Sequence, residues 1–226
     1  MPSCRRNVRW IAAACVALAV SAPVAGCSKD ESDTKQSAQS SASAKPNTPV
    51  TGTNGRQPTL GDYIKQNNIT ESQVKPGQPD TPEIALPMGP DWKDLGPATP
   101  AYAYAAIIDT AFSTDPPSIV AVMSKLTGPV DPAQILTLAP NEIRNLPDFK
   151  GTEPRPGKLS NFDSVQISGT YTRDGKARLI AQKTVLIPDK DAFFVLQLNA
   201  DGLKEQGDAL VMATEAIDNK ATIKLP

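Results

Sequence analysis

The chain has 226 residues, a formal charge of −1, three cysteines and no histidine. Without imidazole there is no Ser-His-Asp or Cys-His nucleophile, no histidine general base and no His-ligated zinc. Cys4, Cys15 and Cys27 all lie in the first 27 residues, so a body that begins after them has neither thiolates nor disulfides.

Residues 1–9 carry Arg5, Arg6 and Arg9 without an acid, and residues 10–20 are apolar and alanine-rich. This is the charged start and apolar core of a secretory signal, about half the ~20 residues a spanning helix needs. Val24-Ala25-Gly26-Cys27 follows at once and has the form of a bacterial lipobox, with small residues ahead of a cysteine. The expected product begins at Cys27, bearing an S-diacylglycerol and an N-acyl chain such as palmitate. Several chains on one residue hold a protein on a membrane where a single chain does so only marginally. Ordinary signal cleavage beside an unmodified cysteine is the alternative. The expected domains are therefore a lipoprotein signal peptide at 1–26, a lipidated cysteine with a tether at 27–57, and one globular domain at 58–226. Loss of residues 1–26 leaves 20 basic and 24 acidic side chains, a formal −4. That balance argues against a nucleic-acid partner.

Residues 28–57 are rich in Ser, Ala, Thr, Lys and Gln, with Val50 the only large apolar residue. Such a segment buries too little surface to offset its ordering entropy, and as a tether of about 30 residues it spans roughly 30 Å. Thr48, Thr51 and Thr53 are either acceptors of O-linked sugar or parts of a plain solvated linker.

In the domain, Thr59 is the expected N-cap of a short helix whose Leu60, Tyr63 and Ile64 share a face. Seven prolines between 76 and 100 exclude a regular helix there but leave room for a short edge strand at 83–86. Residues 101–112 read as a strand with Tyr102 and Tyr104 on one side. Residues 117–126 suit strand or helix by period and are taken as strand. Asp131 as N-cap and Pro132 at the first helical position start a helix that runs to about Ala139 and restarts or kinks at Pro140.

Residues 162–173 alternate Val165, Ile167, Gly169 and Tyr171 with Gln166, Ser168, Thr170 and Thr172, the period of a half-buried strand. Asp174-Gly175 predicts a tight hairpin turn to a strand at 177–187, and Pro188 to Asp191 a second turn to a strand at 193–198. A closing helix carries Leu203, Leu210, Val211, Thr214 and Ile217 on one face, with Asp201 as its expected cap, and residues 222–225 form a last strand. A meander with helices before and after it reads as an α+β fold, helices packed on a twisted, mainly antiparallel sheet.

The order of features resembles the mycobacterial LpqN/LpqT lipoprotein family, with the LpqT branch the nearer. The resemblance is carried by Cys27, Thr59-Leu60-Gly61-Asp62-Tyr63-Ile64, Ile84-Ala85-Leu86-Pro87, Gly89-Pro90-Asp91-Trp92, Ser124-Lys125-Leu126-Thr127-Gly128, Asp131-Pro132-Ala133 and Leu138-Ala139-Pro140-Asn141-Glu142. It implies a PsbP-like α/β/α layer fold. It also implies a lipid anchor on the extracytoplasmic face of the cell membrane, with cell-wall or surface exposure open, and a role in envelope lipid biology or host interaction. It implies no cofactor.

Trp92, Tyr102, Tyr104, Phe149, Phe162 and Tyr171 form either ordinary core or the lining of a pocket for an envelope lipid or glycolipid. Trp92, Tyr102, Phe149, Phe162 and Tyr171 are the candidate ligand residues. No residue is assigned to catalysis or to metal binding, and the protein is expected not to be an enzyme. Asp109, Asp115 and Asp163 lie near strand ends without the spacing of a catalytic pair, and adjacent Ser124 and Lys125 on a strand face opposite sides. Asn68-Ile69-Thr70 is a three-residue sequon too short to be specific. Lys183, Lys190, Arg173 and Arg178 either face an acidic partner or keep hairpin edges soluble. Two functions stand: a tethered accessory that binds a hydrophobic or glycolipid ligand, and a tethered adaptor acting through an envelope-transport or host protein partner. In the second, host sensing of the acylated Cys27 needs no folded domain.

Overall fold

Asp174 and Gly175 both adopt positive φ, 52° and 71°, the left-handed pair that matches the twist of two antiparallel strands in a two-residue turn. The hairpin they close joins two of the longest strands of the computed structural model, which describes residues 56–226. The elements in order are α1 (Leu60–Gln66), β1 (Thr70–Gln73), β2 (Glu83–Ala85), β3 (Trp92–Asp94), β4 (Ala105–Asp109), β5 (Ser118–Thr127), α2 (Pro132–Leu138), α3 (Pro140–Arg144), β6 (Lys150–Gly151), β7 (Arg155–Leu159), β8 (Phe162–Arg173), β9 (Lys176–Pro188), β10 (Ala192–Leu203), α4 (Gly207–Lys220) and β11 (Thr222–Lys224). The proposed signal at 1–26, Cys27 and the tether up to residue 55 lie outside the described residues.

Among the described residues, nine strands make one sheet in the order β3-β4-β5-β10-β9-β8-β6, with β1 beside β5 and β7 beside β8. Every pairing in it is antiparallel. β2 and β11 form a separate two-stranded sheet. Because side chains alternate across a strand, the registers divide the large sheet into two faces. One carries Ile119, Met123, Val185, Phe194, Leu196 and Leu198 into a core shared with Leu210 and Ile217 of α4 and Ile223 of β11. The opposite face carries Val165, Leu186 and Val195 against Leu60, Tyr63, Ile135 and Leu138 of α1 and α2. Beside them Ile167, Tyr171 and Ile180 meet Ile143 of α3. The molecule is α+β, a large antiparallel sheet flanked by helices. β9 lies between β10 and β8 and is buried on one face from Arg178 to Leu186 and on the other at Val185 and Ile187.

The helix starts follow their caps. Thr59 Oγ1 accepts from Asp62 N at 3.2 Å while Asp62 Oδ2 accepts from Thr59 N at 2.8 Å, a complete capping box. Asp131 Oδ1 accepts from Ala133 N at 2.8 Å, and Pro132 opens α2. Pro140 starts α3 rather than ending the segment.

Three expectations are corrected. The strand expected over 101–112 is confined to Ala105–Asp109: Tyr102 sits 50 % exposed in the preceding turn while Tyr104 is buried, so the two tyrosines do not share a side. Asp201 does not cap the last helix. It stays in β10, because its carboxylate takes hydrogen bonds from Tyr171, Arg173 and Arg178, and the strand continues to Leu203 before α4 begins at Gly207. Leu203 accordingly belongs to the strand, and Val211, expected on the helix's buried stripe with Leu210 and Ile217, is exposed.

Candidate functional site

An open groove of about 430 Å³ lies between α4 and the sheet, within the ~300–1,000 Å³ range of small-ligand sites. Its origin lies in strand register. Ser168 of β8 is opposite Ala181 of β9, which is opposite Ala200 of β10, which is opposite Ile119 of β5. Three adjacent strands therefore present small side chains in one row, on the face where Val185, Leu196 and Phe194 fill space elsewhere. α4 crosses above this row on two stripes: Leu210, Ala213 and Ile217 are buried, while Val211, Thr214 and Asp218 border the opening. Leu210 and Ile217 join the bulkier residues in one core, and a trough remains over the small ones.

The ends of the trough are chemically different. At one, Leu179 of β9 meets Gly207, where an added Cβ would come within 2.9 Å of the leucine methyl. At the other, Lys183 Nζ reaches Asp218 Oδ1 at 2.5 Å and ties the sheet to α4. The outer rim comes from β6 and β7 through Lys150, Gly151, Thr152 and Arg155. Gln166, Ser168 and Thr170 add neutral hydrogen-bonding groups.

None of the five candidate ligand residues lines this groove. Trp92 is on the edge strand β3, 8 % exposed, in the core beneath α4. Phe162 packs half-buried on the same core. Phe149 and Tyr171 lie on the opposite sheet face with Ile143, Ile167 and Ile180. Tyr102 is exposed. The structure does not bring these aromatics together, and core packing accounts for four of them. The groove contains no aromatic side chain.

The other singled-out polar residues have structural partners. Asp109 accepts from Ala111 N, Asp163 pairs with Lys158, and Asp115 pairs with Arg178. Lys125 pairs with Asp189 and stands 5.0 Å from the Phe194 ring centroid, while Ser124 points to the other face, at a small cavity with Glu142 and Gln197. Arg178, expected on an exposed hairpin, is 3 % exposed. Burial opposes its charge, but hydrogen bonds to Asp201 and Asp115 outweigh this and raise its pKa. Asp115 is held below its ordinary value chiefly by the hydrogen bond from Arg178. Burial, assisted by the hydrogen bond to Asp201, pushes Tyr171 up to about 12.

Sequence reasoning set Ser168 on the polar side of its strand and did not single out Ala181 or Ala200; only register shows that the three align.

The groove combines an apolar floor with a polar rim on one face of the antiparallel sheet. Residues 56–224 match the family described as "Probable lipoprotein LpqN", and the chain belongs to that family. It is 45 % identical over 168 residues to lipoprotein LpqN of Mycobacterium tuberculosis, covering 73 % of each chain. It is 25 % identical over 169 residues to a proline-rich 28 kDa antigen homolog of Mycobacterium leprae, covering 74 % of this chain and 61 % of that one. A crystal structure of LpqN of Mycobacterium tuberculosis, described as involved in cell envelope biogenesis, superposes with a TM-score of 0.72 at 44 % identity, over 76 % of this chain and all of that one. The matching family, the 45 % identical relative and the crystal structure carry the LpqN name, so the leaning towards LpqT drawn from the motifs gives way to LpqN. No helix among the described residues is long and apolar enough to cross a membrane.

Proposed function

We propose that this chain is a lipid-anchored envelope lipoprotein, in a PsbP-like layer fold, that binds a hydrophobic or glycolipid ligand without transforming it. The observation that carries the reading is the 430 Å³ groove floored by Ser168, Ala181 and Ala200 and walled by α4. Acylation at Cys27 holds the protein on the extracytoplasmic face of the membrane, and the tether gives the domain reach to receive or hand over a chain. Membership of a lipoprotein family supports the anchor. The involvement in envelope biogenesis stated for the LpqN structure supports the setting.

Native mass spectrometry of the protein from its own envelope tests the ligand. The expected result is a retained acyl-containing species that is lost in Ala181→Leu, which fills the trough. An Ala181→Leu protein that still carries the same lipid overturns the site. For the anchor, Cys27→Ala is expected to leave the membrane fraction, and retention there refutes it. The adaptor reading is favoured by Met212, 71 % exposed beside Val211 on the outer side of α4; a partner captured only when Met212 is intact supports it.

A further inference from the structure

The charges around the groove are unequal. Lys150, Arg155 and Lys183 line it against one carboxylate, Asp218. Asp218 is already matched to Lys183. Arg155 and Lys150 have no acidic partner among the described residues, while Lys158 further along β7, Arg173 of β8 and Lys176 of β9 all do. Cations on an edge strand ordinarily guard it against pairing, but register gives these two a further direction. Arg155 is opposite Gln166, which is opposite Lys183, and Lys150 is opposite Thr170. Both cations therefore project on the groove's face of the sheet.

Strands are about 4.8 Å apart, so the backbones of Arg155 and Lys183 stand roughly 10 Å from one another with the Gln166 amide between them. That spacing receives one anionic group: a guanidinium offers paired donors to a carboxylate or phosphate, and the ammonium closes the other side. The next row inward is the small, apolar one at Ser168, Ala181 and Ala200.

We infer that the groove takes a single-chain amphiphile with an anionic head, the head over Gln166 between Arg155 and Lys183 and the chain along the small-residue trough. The inference rests on the groove reading above and adds the charge of the ligand to it.

Calorimetric titration of the full chain with laurate, monolauroyl glycerol and inorganic phosphate tests it, because the first two share a chain and differ in charge. Laurate is expected to bind about tenfold more tightly than the neutral ester at low salt, a difference of about 1.4 kcal/mol, with the gap narrowing as salt screens exposed charge. In Arg155→Gln/Lys150→Gln the gap between laurate and the ester is expected to fall to about twofold. Equal binding of laurate and ester overturns the charge assignment and leaves the groove standing. Binding of neither overturns both. An advantage for laurate that survives in the double variant, or phosphate binding as tightly as laurate, also overturns it.

Discussion

Lys183 Nζ and Asp218 Oδ1 stand 2.5 Å apart and join β9 to α4 at one end of the groove. The lysine side chain is 12 % exposed and the aspartate 41 %, so the pair lies at the boundary where the floor opens to solvent. The contact closes one end of the trough and offsets part of the charge that Lys183 brings to it.

Asp218→Asn keeps the shape of that contact and removes its charge. Stability is expected to change by less than about 1 kcal/mol, as for other partly exposed pairs. Laurate affinity is expected to rise severalfold because Lys183 then faces the groove unneutralised. Titration of the variant beside the parent checks this, and an unchanged or weaker laurate affinity contradicts it.

The layered fold was legible because its signals are local. Period-two alternation at 162–173, Asp174-Gly175, the Asp131-Pro132 helix start and the Thr59 cap each act within a few residues. What escaped were features made by pairing over distance. β1 lacks a buried side chain and is a strand because its backbone bonds to β5. Asp201 was read as a cap because nothing local tells that Arg178 lies on the neighbouring strand. The groove escaped for the same reason: no single strand contains it, and attention to large aromatics pointed to residues that fill the core.

Arg178 joins Asp115 and Asp201 at the far end of the β8–β9 hairpin, so replacing it with methionine leaves two carboxylates without their buried partner. The expected cost at neutral pH is about 3 kcal/mol, at the lower end for a broken buried pair because Asp115 is partly solvated. The sign with pH follows from Asp115. Its pKa is lowered in the fold, so its contribution is present above the ordinary value of 3.8 and is lost as pH falls through the lowered value. Urea denaturation of parent and Arg178→Met is therefore expected to give a gap that is constant near neutrality and narrows below about pH 4.

Glu142 behaves in the opposite sense. It faces the sheet from α3, where burial raises its pKa above the ordinary 4.5, the Gln197 and Gln182 amides oppose the rise, and Glu71 adds to it. A raised carboxylate pKa means that ionisation at neutral pH costs stability, which returns as pH falls through the raised value. Glu142→Gln retains an oxygen to accept from Gln197 Nε2 and removes the charge. It is expected to raise the melting temperature at pH 7 by about 2–4 °C, near 1 kcal/mol for a domain of this size. The advantage is expected to shrink as pH is lowered towards 4.5. A variant no more stable than the parent at pH 7 contradicts this account of α3.

Gly151 and Gly169 face one another where β6 crosses β8, with the Phe149 ring laid over both. A Cβ at Gly169 would stand 2.5 Å from Lys150 O and 2.6 Å from both Gly151 Cα and the Phe149 ring. Backbone cannot yield as a flexible side-chain end does, so Gly169→Ala is expected to push β6 from the sheet at a cost of about 1–3 kcal/mol. Since β6 supplies Lys150, Gly151 and Thr152 to the groove rim, the damage reaches the site although Gly169 is no ligand contact. Hydrogen exchange is expected to accelerate at residues 149–152 while β9 and β10 keep their protection. Gly157→Ala, on the same edge, leaves ordinary contact at 3.6 Å to Ser164 Oγ and serves as the control. Equal protection of residues 149–152 in the two variants contradicts the role of the glycine pair in seating the rim.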